Sequence, residues 1–188
     1  MCNIIEKHEK IWGNNPMSLL DKYNYHPDLT KKLDDLNPKD FNNEVLYEIV
    51  LWKLSRFPYL KLELLDKLKS VAELKPKEHK KATETIKELL RSSGIALPMA
   101  STILRFLNPK VFQIIDDRAY RVLLPGKAKY PSKPAKITDK YIETSINIYF
   151  EYLDKLHAIS SEKLPFKQAD RILYQLDILL GNGIGDKT

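Results

Sequence analysis

The sequence contains very little cysteine, which excludes several kinds of site. Cys2 is the only cysteine in 188 residues, so neither an internal disulfide nor a four-cysteine iron-sulfur cluster can form. The four histidines, His8, His26, His79 and His157, do not occur at the spacing of metal ligands. We therefore expect no metal site built from side chains.

Long apolar runs are also missing. No run approaches the ~18 residues that a membrane-spanning helix needs, and the first residues lack the apolar core of a signal peptide. The content of 43% hydrophobic and 30% charged residues is ordinary for a soluble globular domain. We expect a cytoplasmic monomer without membrane contact, folded as one domain over residues 1–188 in one or two lobes.

The alternation of apolar and polar residues that marks β-strands does not persist anywhere, and no internal repeat occurs. Apolar residues instead recur at helical spacing, which predicts an all-α fold of packed helices. The main predicted helices cover residues 41–57, 60–68, 76–91, 98–107, 116–124, 138–158 and 166–180.

The positive charge of the chain is concentrated in one region. The formal net charge is +6, and residues 101–140 alone contain nine basic and three acidic residues. Within this region, residues 125–136 include three prolines and one glycine, which predicts an irregular basic loop. Such a loop suits a phosphate backbone, although a solvated lysine-rich loop is the plain alternative.

Residues 90–123 hold the most specific pattern. Gly94 can adopt the positive φ that ends one helix, and Pro98 suits the first turn of the next. Leu97, which precedes a proline, is expected in a cap conformation outside that helix. The second helix should stop at Asn108, and Asp116 should open a further helix, since aspartate is a preferred N-cap. The pattern therefore predicts a helical hairpin followed by a carboxylate at a helix start.

This pattern resembles the helix-hairpin-helix DNA glycosylase superfamily, which includes endonuclease III and 8-oxoguanine glycosylase. The superfamily hairpin reads roughly L-P-G-V-G-x-K-T-A and is followed by V-D-T-H-V-x-R-V. The counterparts here are residues 94–100 and residues 115–122. Asp116 follows Ala100 by sixteen positions, which matches the spacing expected from endonuclease III and aligns Asp116, not Asp117, with the catalytic aspartate of the family.

The resemblance implies that the chain binds double-stranded DNA and excises a damaged base. Asp116 would be catalytic, and the extruded base would enter a pocket with aromatic or apolar walls. It also allows a monovalent cation at the hairpin, and it implies no other cofactor and an association with the nucleoid. The residues assigned to DNA are Gly94, Ile95, Ala96, Leu97, Met99, Arg118, Arg121, Lys127 and Lys129, and the candidate pocket residues are Trp52, Phe112 and Tyr120.

Two departures from the family pattern shape the expected activity. Ala96 replaces the second hairpin glycine, and Pro98 occupies the position of the lysine that forms a Schiff base in bifunctional members. We therefore expect a monofunctional glycosylase, unless Lys53 or Lys110 reaches the sugar. Oxidised guanine is the first substrate to consider, followed by alkylated bases or uracil.

Other interpretations of the same residues remain open. Asp116 can be an ordinary helix cap, Trp52 has the spacing of a core residue, and Arg121 can pair with an acid inside the fold. Likewise, the chain can be a non-catalytic DNA-binding or scaffold module that kept the hairpin and lost base excision. A helical protein-interaction domain is a third interpretation.

Overall fold

A computed structural model describes residues 9–12, 15–55, 58 and 60–183 of the chain. Every regular element in these residues is helical, which confirms the all-α prediction. None of the described helices is long and apolar enough to cross a bilayer. Within this part of the chain the α-helices are α1 Glu9–Trp12, α2 Pro27–Asp34, α3 Asn43–Leu54, α4 Leu62–Val71, α5 Thr83–Arg91, α6 Leu97–Leu107, α7 Asp117–Leu123, α8 Asp139–Ile159 and α9 Ala169–Leu179.

The chain divides into two units, residues 1–57 and residues 58–188. In the first unit, α2 packs against α3, and the indole of Trp52 donates a hydrogen bond of 2.8 Å to the Thr30 hydroxyl. The Tyr25 hydroxyl donates to the Trp52 carbonyl at 2.9 Å. None of the described residues of this unit is fully buried, and Phe41 is 55% exposed. The expected apolar face of α3 is therefore not a buried core face.

The second unit contains the buried core, which forms around the 21-residue helix α8. The prediction of this helix is confirmed, since Thr138 caps it by accepting from the Tyr141 amide at 3.2 Å. One face of α8 is buried along its length because apolar residues recur at helical spacing. The buried side chains on this face include Ile142, Ile146, Tyr149, Leu153 and Leu156.

Asn108 fastens the end of α6 to the end of α4. Its side-chain amide donates to the carbonyls of Val71, Ala72 and Leu74 at 2.9–3.1 Å. These carbonyls lie where α4 ends and have no partner within that helix. The predicted stop of α6 at Asn108 is confirmed, and the residue also supplies a contact that the sequence did not indicate.

Two predicted helices differ from the structure. The helix expected from Pro76 begins at Thr83, because Lys77 has a φ of 71° and residues 75–78 form a turn. The expected apolar face of the last helix is also wrong, since Leu176 and Leu179 are 41% and 76% exposed. Its buried face consists of Ala169, Asp170, Leu173 and Asp177.

Candidate active site around Asp116

Asp116 caps helix α7, as the sequence predicts. Its Oδ1 accepts a hydrogen bond of 2.8 Å from the amide of Ala119, and the side chain is half-buried. Burial raises the pKa of Asp116, and the nearby carboxylates of Asp170 and Asp117 raise it further. Hydrogen bonds from the backbone amides of Ala119 and Arg118 lower the pKa of Asp116, but they do not outweigh the effect of burial. The carboxylate is therefore held in an environment that strengthens its electrostatic interactions.

Residues 113–115, which form no regular secondary structure, lead into Asp116. Tyrosines of α8 hold the carbonyls of this segment. The Tyr149 hydroxyl donates to the Gln113 carbonyl at 3.0 Å, and the Tyr152 hydroxyl donates to the Ile114 carbonyl at 2.8 Å. Both tyrosines are fully buried, so these contacts are shielded from water.

The amides of the same segment are held from two other helices. The Ile114 amide donates to Asp170 of α9 at 3.2 Å, and the Ile115 amide donates to the Ser101 hydroxyl of α6 at 3.1 Å. Three helices thus fix the backbone immediately before Asp116. The carboxylate consequently has a rigid support on its N-terminal side.

The hairpin between α5 and α6 turns at Gly94, which has the predicted positive φ, 75°. Gly94 and Met99 are exposed, Ala96 is half-buried, and the side chains of Ile95 and Leu97 are fully buried. Ile95 and Leu97 therefore present no solvent-accessible surface to a ligand in this conformation. Leu97 is the first residue of α6 and Ala96 is its cap, so the predicted cap conformation of Leu97 lies one residue too late.

Arg118 and Arg121 turn inward and bind Asp177, a fully buried carboxylate on α9. Arg118 Nη1 lies 2.7 Å from Oδ2, while Nε and Nη2 of Arg121 each lie 2.6 Å from the carboxylate. The hydrogen bonds of Arg121 lower the pKa of Asp177 well below its usual range, and Asn182 and Arg118 add to this. This is the internal pairing that the sequence left open for Arg121.

The lysines assigned to DNA lie on the surface in ion pairs. Lys127 contacts Glu151 at 3.0 Å, and Lys129 contacts Asp117 at 2.5 Å. Partial burial would raise the pKa of Asp117, but its hydrogen bonds with Lys129 and Tyr130 outweigh burial and lower it. Because exposed ion pairs contribute little stability, both lysines can exchange these partners for another anion.

The three candidate pocket residues are divided between the two units. Trp52 belongs to the first unit, where it binds Thr30. Phe112 is fully buried against Tyr149, with ring centroids 6.5 Å apart. Tyr120 is 4% exposed, and its hydroxyl donates to the Ala128 carbonyl at 3.2 Å. Within the second unit, therefore, the pocket assignment depends on movement of buried side chains.

Several residues that surround the site were not identified from the sequence. Two of them, Asp170 and Asp177, could have been found from their spacing in the last helix. Asp170, Leu173 and Asp177 follow one another at helical spacing and share the buried face of α9. An acidic residue on either side of a buried leucine indicates that the acids have polar partners inside the fold, since an unpaired carboxylate is too costly to bury. The basic partners could then have been sought in the preceding motif.

Known proteins add nothing to this picture: no family model, curated protein or solved structure matches the chain significantly.

Proposed function

We propose that this protein is a monofunctional DNA glycosylase that hydrolyses the N-glycosidic bond of a damaged base in double-stranded DNA. The observation that carries the proposal is Asp116, a half-buried carboxylate with a raised pKa at the start of α7. It follows the hairpin at the spacing of the family that the motif resembles. A perturbed carboxylate on a rigid support is a typical catalytic candidate.

In this reaction the bond between the base and C1′ of the sugar breaks, and its electron pair leaves with the base. Positive charge builds on the sugar, and an ionised carboxylate beside it stabilises the transition state. Water then forms the new bond to C1′ and releases a proton, which Asp116 can accept. The burial that raises the pKa of Asp116 also strengthens its attraction for the developing charge.

In the proposal, the hairpin and the surface lysines bind the DNA backbone. The amide of the exposed Met99, in the first turn of α6, has no acceptor within the helix and suits a phosphate. Lys110 is exposed at the other end of α6, and Lys127 and Lys129 are exposed in the loop after α7. Arg118 and Arg121 have a different role, since their bonds to Asp177 hold α7, and with it Asp116, in place.

Base release from a panel of duplexes, each with one lesion, tests the proposal. The panel includes 8-oxoguanine first, then alkylated bases and uracil, with the wild-type protein compared with Asp116→Asn and Asp117→Asn. We expect release from at least one lesion that Asp116→Asn abolishes and Asp117→Asn retains, because Asp117 is an exposed neighbour. Release that survives in Asp116→Asn would refute the assignment of the catalytic residue.

Borohydride trapping on the cleaved lesion tests the monofunctional character. With Pro98 at the position of the lysine nucleophile, we expect no covalent adduct between protein and DNA. If an adduct forms, Lys53→Met and Lys110→Met identify whether either exposed lysine supplies the amine.

A non-catalytic DNA-binding module is the second candidate. The hydrogen bond from the Ala119 amide to Asp116 favours it, because capping is a sufficient structural use for that carboxylate. Such a module binds duplex DNA with strong salt dependence and releases no base. Its Asp116→Asn variant binds DNA as tightly as the wild-type protein does. Absence of salt-dependent binding would contradict both candidates and favour a protein-interaction domain.

A further inference from the structure

A cavity of about 390 Å³ lies where α4 and α6 end, at the opposite end of α6 from the hairpin. We call it the α4–α6 cavity. A helix of 11 residues is roughly 16 Å long, so a short ligand in this cavity leaves the hairpin uncovered. Cavities of this size suit a small group with an apolar body. The apolar lining residues are Ala72, Leu74, Pro76, Leu107 and Pro109.

The walls of the α4–α6 cavity are held in place without a ligand. The Asn108 side chain joins the end of α6 to the end of α4. The wall beyond α4 is a turn over residues 75–78, in which Glu78 Oε2 accepts from the Lys75 amide at 2.9 Å. Lys77 adopts a φ of 71° in this turn, a left-handed conformation that is unfavourable for lysine. A strained turn that its neighbours hold in this way is typical of preorganised binding surfaces.

The rim of the cavity carries lysines without an acidic partner. Lys75 follows α4 and Lys110 follows α6, and neither makes an ion pair with any described residue. Glu73 is the one acid among the described lining residues. Other lysines of α4, α5 and the segment between them behave differently, because they contact carboxylates. These paired lysines are Lys67, Lys69, Lys80, Lys81 and Lys87.

Helix dipoles explain how Lys75 and Lys110 are accommodated. Both α4 and α6 end at the cavity, and the negative end of a helix dipole favours a nearby cation. The dipoles stabilise these two charges without using their ammonium hydrogens in an ion pair. The ammonium groups are therefore available to carboxylates of a ligand, which form strong charge-assisted hydrogen bonds.

We propose that the α4–α6 cavity docks a short acidic segment of a partner protein. One apolar side chain of the segment enters between Leu74 and Leu107, and the carboxylates on either side of it bind Lys75 and Lys110. Apolar walls beneath a basic rim suit such a segment better than a phosphate backbone, which has no apolar group to insert. This inference goes beyond the proposed function and does not depend on it.

NMR of the full chain with defined peptides tests the proposal. Each probe is a short peptide with blocked ends, in which one anchor residue, leucine, methionine, phenylalanine or tryptophan, is flanked on both sides by aspartate and glutamate. We expect at least one probe to bind saturably and to shift the amide signals of residues 72–75, 107, 108 and 110. Two control peptides, one with serine as the anchor and one with lysine in place of the acids, should not bind.

Lys75→Glu is the decisive variant, because Lys75 has no part in the proposed DNA contacts. Reversing its charge should weaken binding of the best probe by roughly tenfold or more. The matched control is Lys140→Glu, since Lys140 is exposed in the first turn of α8 and makes no ion pair with a described residue. This control should bind the probe within about twofold of wild type, because rim charges act mainly at short range.

Leu107→Ser tests the apolar anchor in the same assay. Leu107 is 40% exposed and lines the cavity, whereas Leu179 is 76% exposed on α9 and does not. We expect Leu107→Ser to weaken the probe clearly and Leu179→Ser to leave its affinity unchanged.

Three results would overturn the proposal: no probe shifts the signals of the cavity, the serine control binds as tightly as the probes, or Lys75→Glu and Lys140→Glu weaken binding equally. Duplex DNA that shifts these signals where the probes do not would also overturn it and assign the cavity to DNA. Base release is not measured in these experiments, so their failure leaves the proposed function untouched.

Discussion

Arg121 binds Asp177 with two nitrogens of its guanidinium group: Nε donates to Oδ1 and Nη2 donates to Oδ2, each at 2.6 Å. The pair joins α7 to α9, and Asp177 has no exposure to solvent. A bidentate pair of this kind fixes orientation as well as distance. The helix that Asp116 caps is therefore held against α9 by this ion pair.

Replacing Asp177 with Asn should destabilise the second unit strongly. The change leaves the guanidinium groups of Arg118 and Arg121 buried without their charged partner, which costs roughly 3–5 kcal/mol. Urea unfolding measures the loss. The matched control is Asp66→Asn, because Asp66 is exposed on α4 and pairs with the exposed Lys69. A similar small loss in both variants would show that the buried pair contributes little.

Asp116→Asn should be at least as stable as wild type at neutral pH. The raised pKa of Asp116 means that folding disfavours the ionised form, so the charge lowers stability once the pH exceeds the folded pKa. Asparagine removes the charge and caps a helix as well as aspartate does. Alanine cannot cap the helix, so Asp116→Ala should lose about 1 kcal/mol of stability. Thermal melts at neutral and acidic pH compare the three proteins. Marked destabilisation of Asp116→Asn would mean that the carboxylate is structural.

The pKa of Asp116 should fall in Asp117→Asn. The carboxylate of Asp117 is one of two like charges that raise this pKa, and its removal makes ionisation of Asp116 easier. Carboxyl ¹³C NMR titration measures the pKa directly. If Asp116 is catalytic, the acid limb of base release should move to lower pH by the same amount. An unchanged titration would show that Asp117 does not contribute to the shift.

Asn108→Ala should cost roughly 2–3 kcal/mol, because the carbonyls of Ala72 and Leu74 lose the Asn108 donor and the carbonyl of Val71 keeps only the Leu74 amide. Asn147→Ala, an exposed position on α8, is the control. The free energies of unfolding of the two variants, measured by chemical denaturation, should differ clearly. Equal stability would mean that water satisfies the end of α4 as well as Asn108 does.

The stability of the second unit should fall as the pH drops below about 6.5, the ordinary pKa of histidine. Burial lowers the pKa of both His79 and His157, and Asp154 opposes the effect from 3.2 Å at His79 Nε2. The unfolded chain therefore takes up protons first, which weakens folding by up to ~1.4 kcal/mol per histidine per pH unit until the folded pKa is reached.

His157→Phe tests this dependence. His157 stacks on Phe166 with centroids 3.8 Å apart, so phenylalanine keeps the ring contact and removes one proton site. Urea unfolding at neutral and mildly acidic pH should show a smaller loss for the variant than for wild type. An identical loss would assign the acid sensitivity to other groups.

The helices were predictable where local signals agree. Thr138 and Asp116 cap helices that begin where the sequence places them, and Gly94 turns with the positive φ that it can adopt. The helix expected from Pro76 was wrong because Lys77 takes a positive φ, for which lysine carries no signal. Apolar periodicity also misassigned the face of α9, since acids occupy its buried positions.

The sequence by itself determined the helical class, the hairpin and the position of Asp116 at the start of α7, because caps, turns and periodicity act between residues close in the chain. Tertiary structure alone decided the partners of the charged groups. Asp177 binds Arg121 across 56 positions, and Lys133 reaches a carbonyl 43 positions away. Such pairs form only when packing brings distant segments together and excludes the water that would otherwise solvate each charge.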